Sequence, residues 1–169
     1  NISGAYFHCL RDSADARIVA VADLDADRAR AKADENGIAL ALSPDELLAH
    51  PEVDVVLNLT IPAAHIPVAR AAVANGKHVY GEKPLSVDRE GGLELLAEAK
   101  EKGVLVGCAP DTVLGAGIQR ARAAIDAAEI GSPVAAQAFL LCPGHESWHP
   151  SPEFYYQRGG GPMLDMGPY

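Results

Sequence analysis

The sequence has no apolar run approaching the roughly 20 residues that a membrane-spanning helix needs. Nor does it have a block of positive charge. Its 14 Lys and Arg are interspersed with 23 Asp and Glu, and the formal net charge is −9. A nucleic-acid or anionic-membrane surface needs clustered cations, so neither partner is expected. Cysteine is scarce: Cys9, Cys108 and Cys142 lie far apart, in neither Cys-x-x-Cys nor zinc-ligand spacing. That excludes a disulfide framework, fits a reducing compartment, and makes each cysteine a small buried hydrophobe. The cytoplasm is the expected location. Asn1 is not an initiator methionine and no signal-peptide pattern follows it. Asn1-Ile2-Ser3-Gly4 reads as the mouth of a helix and Gly167-Pro168-Tyr169 as the start of another, so both ends read as cuts in a longer protein. Repeats and low-complexity segments are missing too. What remains is an ordinary globular mixture, 49% hydrophobic and 22% charged, long enough for one domain and part of another.

Along the first two-thirds, short apolar runs alternate with helical patterns, the mark of βαβ units on a parallel sheet. The remainder of a helix over 3–13 precedes a strand over Arg17–Ala22 that ends at Asp23. A helix from about Asp25 stops at Gly37, and Ser43-Pro44-Asp45-Glu46 carries the pattern of a capped helix start. Strands are expected at Val53–Leu59, His78–Tyr80 and Val104–Cys108. Helices fill the gaps: one ends at Asn75-Gly76, with Pro67 in doubtful company near its start, and one is capped by Ser86 and ended by Gly103. The rhythm then changes. Ile118, Ala121, Ile125 and Ala128 mark a helical face stopped by Gly131, Pro133–Cys142 reads as a longer strand, and a loop runs over 143–162. The expected fold is a doubly wound Rossmann-type sheet over residues 1–110, then the start of an α+β domain with a mainly antiparallel sheet over 111–169.

Ligands of a doubly wound sheet bind at the carboxyl ends of its strands, so polar residues just after strands are the site candidates. Asp23 follows one strand; it can accept both ribose hydroxyls of an adenosine and repel a 2′-phosphate, or it caps the next helix. No Arg stands beside it, which favours NAD over NADP. Thr60, Pro62 and His65 follow another: Thr60 offers its hydroxyl, Pro62 shapes the turn, and His65 is a structural or a site histidine. Gly81-Glu82-Lys83-Pro84 follows a third. Its lysine can donate to a substrate hydroxyl or carbonyl, or it belongs to an exposed ion pair. Asp111 is a substrate contact or a helix cap. His145, Trp148 and His149 lie on a loop that can form a lid with a stacking surface for a sugar face. The histidines lack a carboxylate at useful spacing, so no metal is expected.

Together these motifs are far more specific than any one of them. The runs Asp54-Val55-Val56-Leu57-Asn58-Leu59-Thr60-Ile61-Pro62, then His65, then Gly76 through Leu85 with Glu82-Lys83-Pro84, closely resemble the glucose–fructose oxidoreductase / inositol dehydrogenase / MocA family. Glu129-Ile130-Gly131-Ser132-Pro133-Val134 resembles the turn into that family's C-terminal sheet. Gly159 through Gly167 resembles its glycine-rich approach to the active site. The resemblance implies Lys83 as catalytic lysine, Glu82 lining the nicotinamide ribose, Asp165 facing the substrate, and Asn1, Ile2 and Ser3 as the tail of the phosphate loop. It also implies a homo-oligomer, dimer or tetramer. One position departs from it: the family commonly reads Asp-x-Gly-x-His, and here Asp165-Met166-Gly167-Pro168 leads to Tyr169. Some members use tyrosine there; Tyr169 then shuttles the proton, with Lys83 favouring the phenolate, or only binds substrate. Asp165 and Tyr169 would share one face of a helical turn.

The expected activity is hydride transfer between a nicotinamide cofactor, preferably NAD, and a hydroxyl or carbonyl carbon of a sugar, cyclitol or related polyol. Two alternatives share the fold: a redox-neutral NAD-dependent glycosidase and a non-catalytic sugar sensor.

Overall fold

The structure is a computed structural model that describes residues 2–141, 143–149 and 152–169. Its first half alternates strand and helix in the expected order: α1 (Ser3–Leu10), β1 (Ala20–Ala22), α2 (Ala26–Asn36), β2 (Leu40–Leu42), α3 (Pro44–Ala49), β3 (Val55–Asn58), α4 (Pro62–Ala74), β4 (His78–Gly81), α5 (Arg89–Lys102) and β5 (Val106–Cys108). Every strand pairing is parallel. β1 pairs with β2, and β3, β4 and β5 form a second ladder in that order. In a Rossmann sheet of order 3-2-1-4-5-6, β1 and β2 match the strands on one side of the central strand and β3 to β5 those on the other. The strand β2 has no counterpart in the sequence reading. Leu40-Ala41-Leu42 is too short a run to signal a strand until β1 lies beside it.

The helix boundaries follow local chemistry. Asp25 caps α2 by accepting from the amides of Asp27 and Arg28, and Gly37 ends it in the left-handed region. Ser43 and Glu46 form the expected capping box on α3. The cap of α5 differs from expectation. Asp88, not Ser86, accepts from the amide of Gly91, while Ser86 accepts from Asp88 one turn earlier. The helices α4 and α5 lie against β3 and β4, and their inner residues Ala69, Ala72, Val73, Leu95 and Ala99 meet Val56 and Val79 in the main core. Val19, just before β1, and Leu48 of α3 pack on the same core.

After β5 the chain forms a 3₁₀ turn at Asp111–Leu114 and α6 (Ala116–Asp126). α6 stops before Gly131, because Ala127 leaves the helix and Ala128 turns left-handed at φ 55°. The strand expected over Pro133–Cys142 is not formed at residues 133–141; Cys142 lies outside the described residues. A strand exists only through its ladder, and no described segment pairs with this one. Val134, Phe139 and Leu141 stand exposed along it. For the same reason the antiparallel second sheet has no strand among the described residues. Two 3₁₀ turns follow, His145–Ser147 and Pro152–Tyr156, and then α7 (Pro162–Asp165). The helix expected to start at Gly167-Pro168 instead ends before them, so Asp165 closes α7 and Tyr169 follows a turn. The cysteine expectation is also corrected: Cys9 is exposed, because α1 buries none of its residues, and Cys108 is half-buried. Among the described residues no helix is long and apolar enough to cross a membrane.

Leu95 is fully buried at the centre of the α4–α5–sheet core. Leu95→Ala is expected to lower unfolding free energy by about 2–5 kcal/mol, the usual range for a buried leucine. A urea unfolding midpoint close to that of the unsubstituted chain would show that the core collapses onto the cavity.

Candidate active site

Because the strands within each ladder are parallel, their carboxyl ends share one edge. The chain therefore leaves β3 through Leu59-Thr60, β4 through Glu82-Lys83 and β5 through Ala109-Pro110-Asp111 at neighbouring points. Two buried groups hold this edge. Asn58, 2% exposed, donates from its amide to the carbonyl of His65 at 2.9 Å and accepts from the Thr60 hydroxyl at 2.7 Å. His65, 3% exposed, faces two carbonyls: Pro84 at 2.6 Å from Nδ1 and Thr60 at 3.0 Å from Nε2. A neutral imidazole has one N–H, so it serves one of them at a time. His65 thus ties the Thr60 loop to the Lys83-Pro84 turn, whose peptide bond is cis, and its ring nitrogens are spent on the protein.

Glu82 is held from two sides. Its backbone amide donates to the carbonyl of Asn58 at 3.0 Å, and one carboxylate oxygen accepts from the Tyr6 hydroxyl at 2.8 Å. Tyr6 lies on α1, so this bond joins the first helix to β4. The sequence reading missed Tyr6, since nothing in a lone tyrosine 76 residues away signals such a pairing. Burial, and then the Glu82 carboxylate beside it, push the Tyr6 hydroxyl far above the usual phenol range.

Lys83 is the meeting point. Its side chain is 15% exposed and its Nζ forms an ion pair with Oδ1 of Asp165, itself 19% exposed. The ring centroid of Tyr169 lies 5.2 Å from the same Nζ. A glycine-rich approach makes this possible. Gly159 sits at φ 94°, and a Cβ there would come within 2.5 Å of Val87 and 3.1 Å of Pro62. A Cβ on Gly160 would meet the carbonyls of Phe154 and Tyr155 at 2.5 and 2.6 Å. Gly159 lets the loop pass this close to Pro62 and Val87, Gly160 lets it fold tightly on its own 152–156 turn, and α7 then presents Asp165 to Lys83.

The expectation for Tyr169 needs correcting. Lys83 does favour the phenolate, but burial outweighs it, and Glu82, Asp111 and Asp165 add to burial, so the phenol is held above its usual range. Asp111 caps neither the 3₁₀ turn that it opens nor α6, and it acts on Tyr169 through its charge. Trp148 is exposed, with its ring 4.7 Å from His145 and 5.4 Å from His149. His145, expected with Trp148 and His149 on a lid loop, is buried with Nε2 3.4 Å from Oδ2 of Asp165. Among the described residues no group of three His, Cys, Asp or Glu is placed to hold a metal.

At the β1 edge, Asp23 does have an arginine beside it in space. Arg28 folds back from the first turns of α2 to 3.3 Å from Asp23 and 3.2 Å from Asp25. The sequence reading looked only at chain neighbours. Two carboxylates against one guanidinium still leave a net negative charge. Ile2 opens α1, which has neither a side-chain cap nor an acidic residue in its first turn, unlike α2, α3 and α5. The positive end of a helix dipole favours an anion. Asn1 lies outside the described residues. A helix start and the carboxylates of Asp23 and Glu82 are groups of the kind that meet the phosphates and ribose hydroxyls of a dinucleotide.

A parallel sheet with helices between its strands and this edge is an α/β fold of the Rossmann class. A family model described as an oxidoreductase family with an NAD-binding Rossmann fold matches residues 1–109, and the chain belongs to that Gfo/Idh/MocA family. It is 36% identical to a 1,5-anhydro-D-fructose reductase from Ensifer adhaerens over 88% of its own length and 45% of the relative's. It is 32% identical to a scyllo-inositol 2-dehydrogenase (NAD(+)) from Bacillus subtilis, over 86% of this chain and 42% of that one. The structure of GenD2 from gentamicin A biosynthesis, in complex with NAD, superposes with a TM-score of 0.70 at 27% identity, over 76% of this chain and 37% of GenD2. The chain thus spans less than half the length of the curated relatives it matches.

The raised tyrosines set a sign for alkaline stability. Below about pH 9 Tyr6 is protonated in both folded and unfolded chains and contributes no slope. As pH rises further the unfolded chain loses that proton first, so stability falls. Tyr6→Phe is expected to make the fall in urea midpoint between about pH 9 and about pH 11 shallower. Tyr156 and Tyr169, also raised, leave a residual slope. An unchanged slope in Tyr6→Phe would break the link between α1 and Glu82.

Proposed function

We propose that the whole protein is an NAD-dependent dehydrogenase or reductase acting on a CH–OH group or its carbonyl in a sugar, cyclitol or related polyol. The observation that carries this reading is Lys83, mostly buried at the end of β4 between the Asp165 carboxylate and the Tyr169 ring. When bound, a nicotinamide supplies or accepts the hydride. The side chains of this site would do the rest. Ile2 and Ser3, with Asn1, would hold the phosphates at the α1 start, Asp23 the adenosine ribose and Glu82 the nicotinamide ribose. Thr60 and Pro62 would shape the crevice, with His65 holding their loop in place. Lys83 donates to the substrate oxygen, and Asp165 keeps its ammonium in place and orients the substrate. Tyr169, protonated near neutral pH, is a second donor, which suits carbonyl reduction; in the oxidising direction one of the two must first give up a proton. Asp111 lies close enough to act on Tyr169 through its charge, and Trp148 and His149 offer a surface for a sugar face.

Two features support the accompanying proposals. The unpaired thiols Cys9 and Cys108 fit a reducing, cytoplasmic setting. The exposed Val134, Phe139 and Leu141 fit burial in a homo-oligomer, dimer or tetramer, built through a second domain over 111–169.

The test is a screen of the whole protein over sugars, inositols and their keto forms, read by nicotinamide absorbance. A substrate-dependent net change is expected. Product without net change would make the protein redox-neutral, and binding without turnover would make it a sensor. Lys83→Ala is expected to lower turnover by about 10²–10⁴, the usual scale for a positioned acid or base, with NAD binding retained. Tyr169→Phe should lower it less, with substrate affinity largely kept. Near-normal turnover in Lys83→Ala would reduce the ion pair to a structural role.

The negative balance around Asp23 is expected to favour NAD over NADP. Asp23→Ser leaves Arg28 facing Asp25 alone, so the ratio of kcat/KM values for the two cofactors should narrow or reverse. A whole protein that already prefers NADP would overturn this assignment.

A further inference from the structure

Among the described residues, the buried polar side chains are Asn58, His65 and His145. The first two spend their polar atoms on backbone groups of the sheet edge. His145 differs. It lies in the 3₁₀ turn His145–Ser147, its side chain is 10% exposed, and Nε2 lies 3.4 Å from Oδ2 of Asp165. Its Nδ1 is buried with no hydrogen-bond partner. A buried N–H without an acceptor is costlier than an unfilled nitrogen lone pair, so this setting favours the proton on Nε2, facing the carboxylate.

The ring itself is held by packing. Tyr155 stacks on it with centroids 3.8 Å apart at 26°, and Trp148 covers it at 4.7 Å. This clamp leaves the imidazole little freedom to turn away. Asp165 is the opposite case, the last residue of a four-residue helix, with a terminal torsion that is intrinsically broad. Its two oxygens are divided between two partners: Oδ1 faces Lys83 and Oδ2 faces His145.

We propose that His145 is a positioning residue for the Lys83–Asp165 pair: its clamped Nε2–H fixes the plane of the Asp165 carboxylate, and through it the place of the Lys83 ammonium. This role rests on the reading of Lys83 as the substrate's proton donor. The contact is one the sequence could not show, because His145 and Asp165 stand 20 positions apart with no motif that joins them. It makes a clamped loop, rather than the helix that ends at Asp165, the element that sets the geometry of the site.

Two substitutions separate the polar contact from the packing. His145→Phe keeps a ring on Tyr155 and loses the donor; His145→Gln loses the ring and can still donate to Oδ2. In the whole protein, with thermal melting and NAD binding as folding checks, two quantities are read. One is kcat. The other is the NMR signal of the Lys83 ammonium, which is visible only while a firm ion pair slows its exchange with water. His145→Phe is expected to lower kcat by about 10- to 100-fold with little change in KM for NAD, and to lose the Lys83 signal. His145→Gln is expected to keep that signal and most of kcat. Should the Phe ring unsettle the loop, His145→Leu asks the same question. Wild-type kcat and an intact Lys83 signal in the Phe variant would overturn the proposal. So would a Gln variant as impaired as the Phe variant while both remain folded. If the whole protein turns nothing over, the functional reading fails, and the Lys83 signal still decides the role of His145.

Discussion

The ion pair between Lys83 and Asp165 is the contact on which the site depends. It joins residues 82 apart in sequence and brings the segment after β5 onto the edge of the parallel sheet. Two charges this far from water are costly unless each is well paired, and removing either leaves the other unpaired in a mostly buried place. The rest of the neighbourhood reads as support for that pairing. Gly159 lets the loop come close enough, α7 aims the carboxylate, and Tyr169 covers the ammonium with its ring face.

A second layer of order comes from uncharged groups. Asn58 bonds the His65 carbonyl and Thr60, and His65 faces the carbonyls of Pro84 and Thr60, so they tie the exit of β3, the start of α4 and the Lys83-Pro84 turn into one piece. Tyr6 extends this piece to α1 by binding Glu82. The groups proposed to meet the cofactor and the groups proposed to meet the substrate are therefore connected through short hydrogen bonds. A change at the first helix can be felt at β4 without any movement of the sheet. The electrostatics are equally local: the phenol of Tyr169 is controlled by burial and three carboxylates more than by the lysine beneath it.

The parallel α/β plan, most of the helix limits and the lysine turn were legible in the sequence, because each rests on short-range signals. Asp25 and Gly37 bound α2, Ser43 and Glu46 start α3, and apolar runs of four to seven residues mark β3 and β4. Glu82-Lys83-Pro84 was legible as a motif in its setting. The misses have a common cause. β2 and the segment 133–141 depend on whether a partner strand lies alongside, and nothing local records that. Arg28 beside Asp23 and Asp88 in place of Ser86 as a cap depend on how a side chain folds back in three dimensions.

By itself, then, the sequence determined the order of strands and helices, the family and the lysine at the end of β4, since periodicity, caps and a contiguous motif are properties of neighbouring residues. Only the tertiary structure decided which groups surround that lysine. Tyr6, His145 and the pair Asp165 and Tyr169 come from three separate segments, and they meet only once the sheet edge is formed and Gly159 lets a distant loop pass close to it.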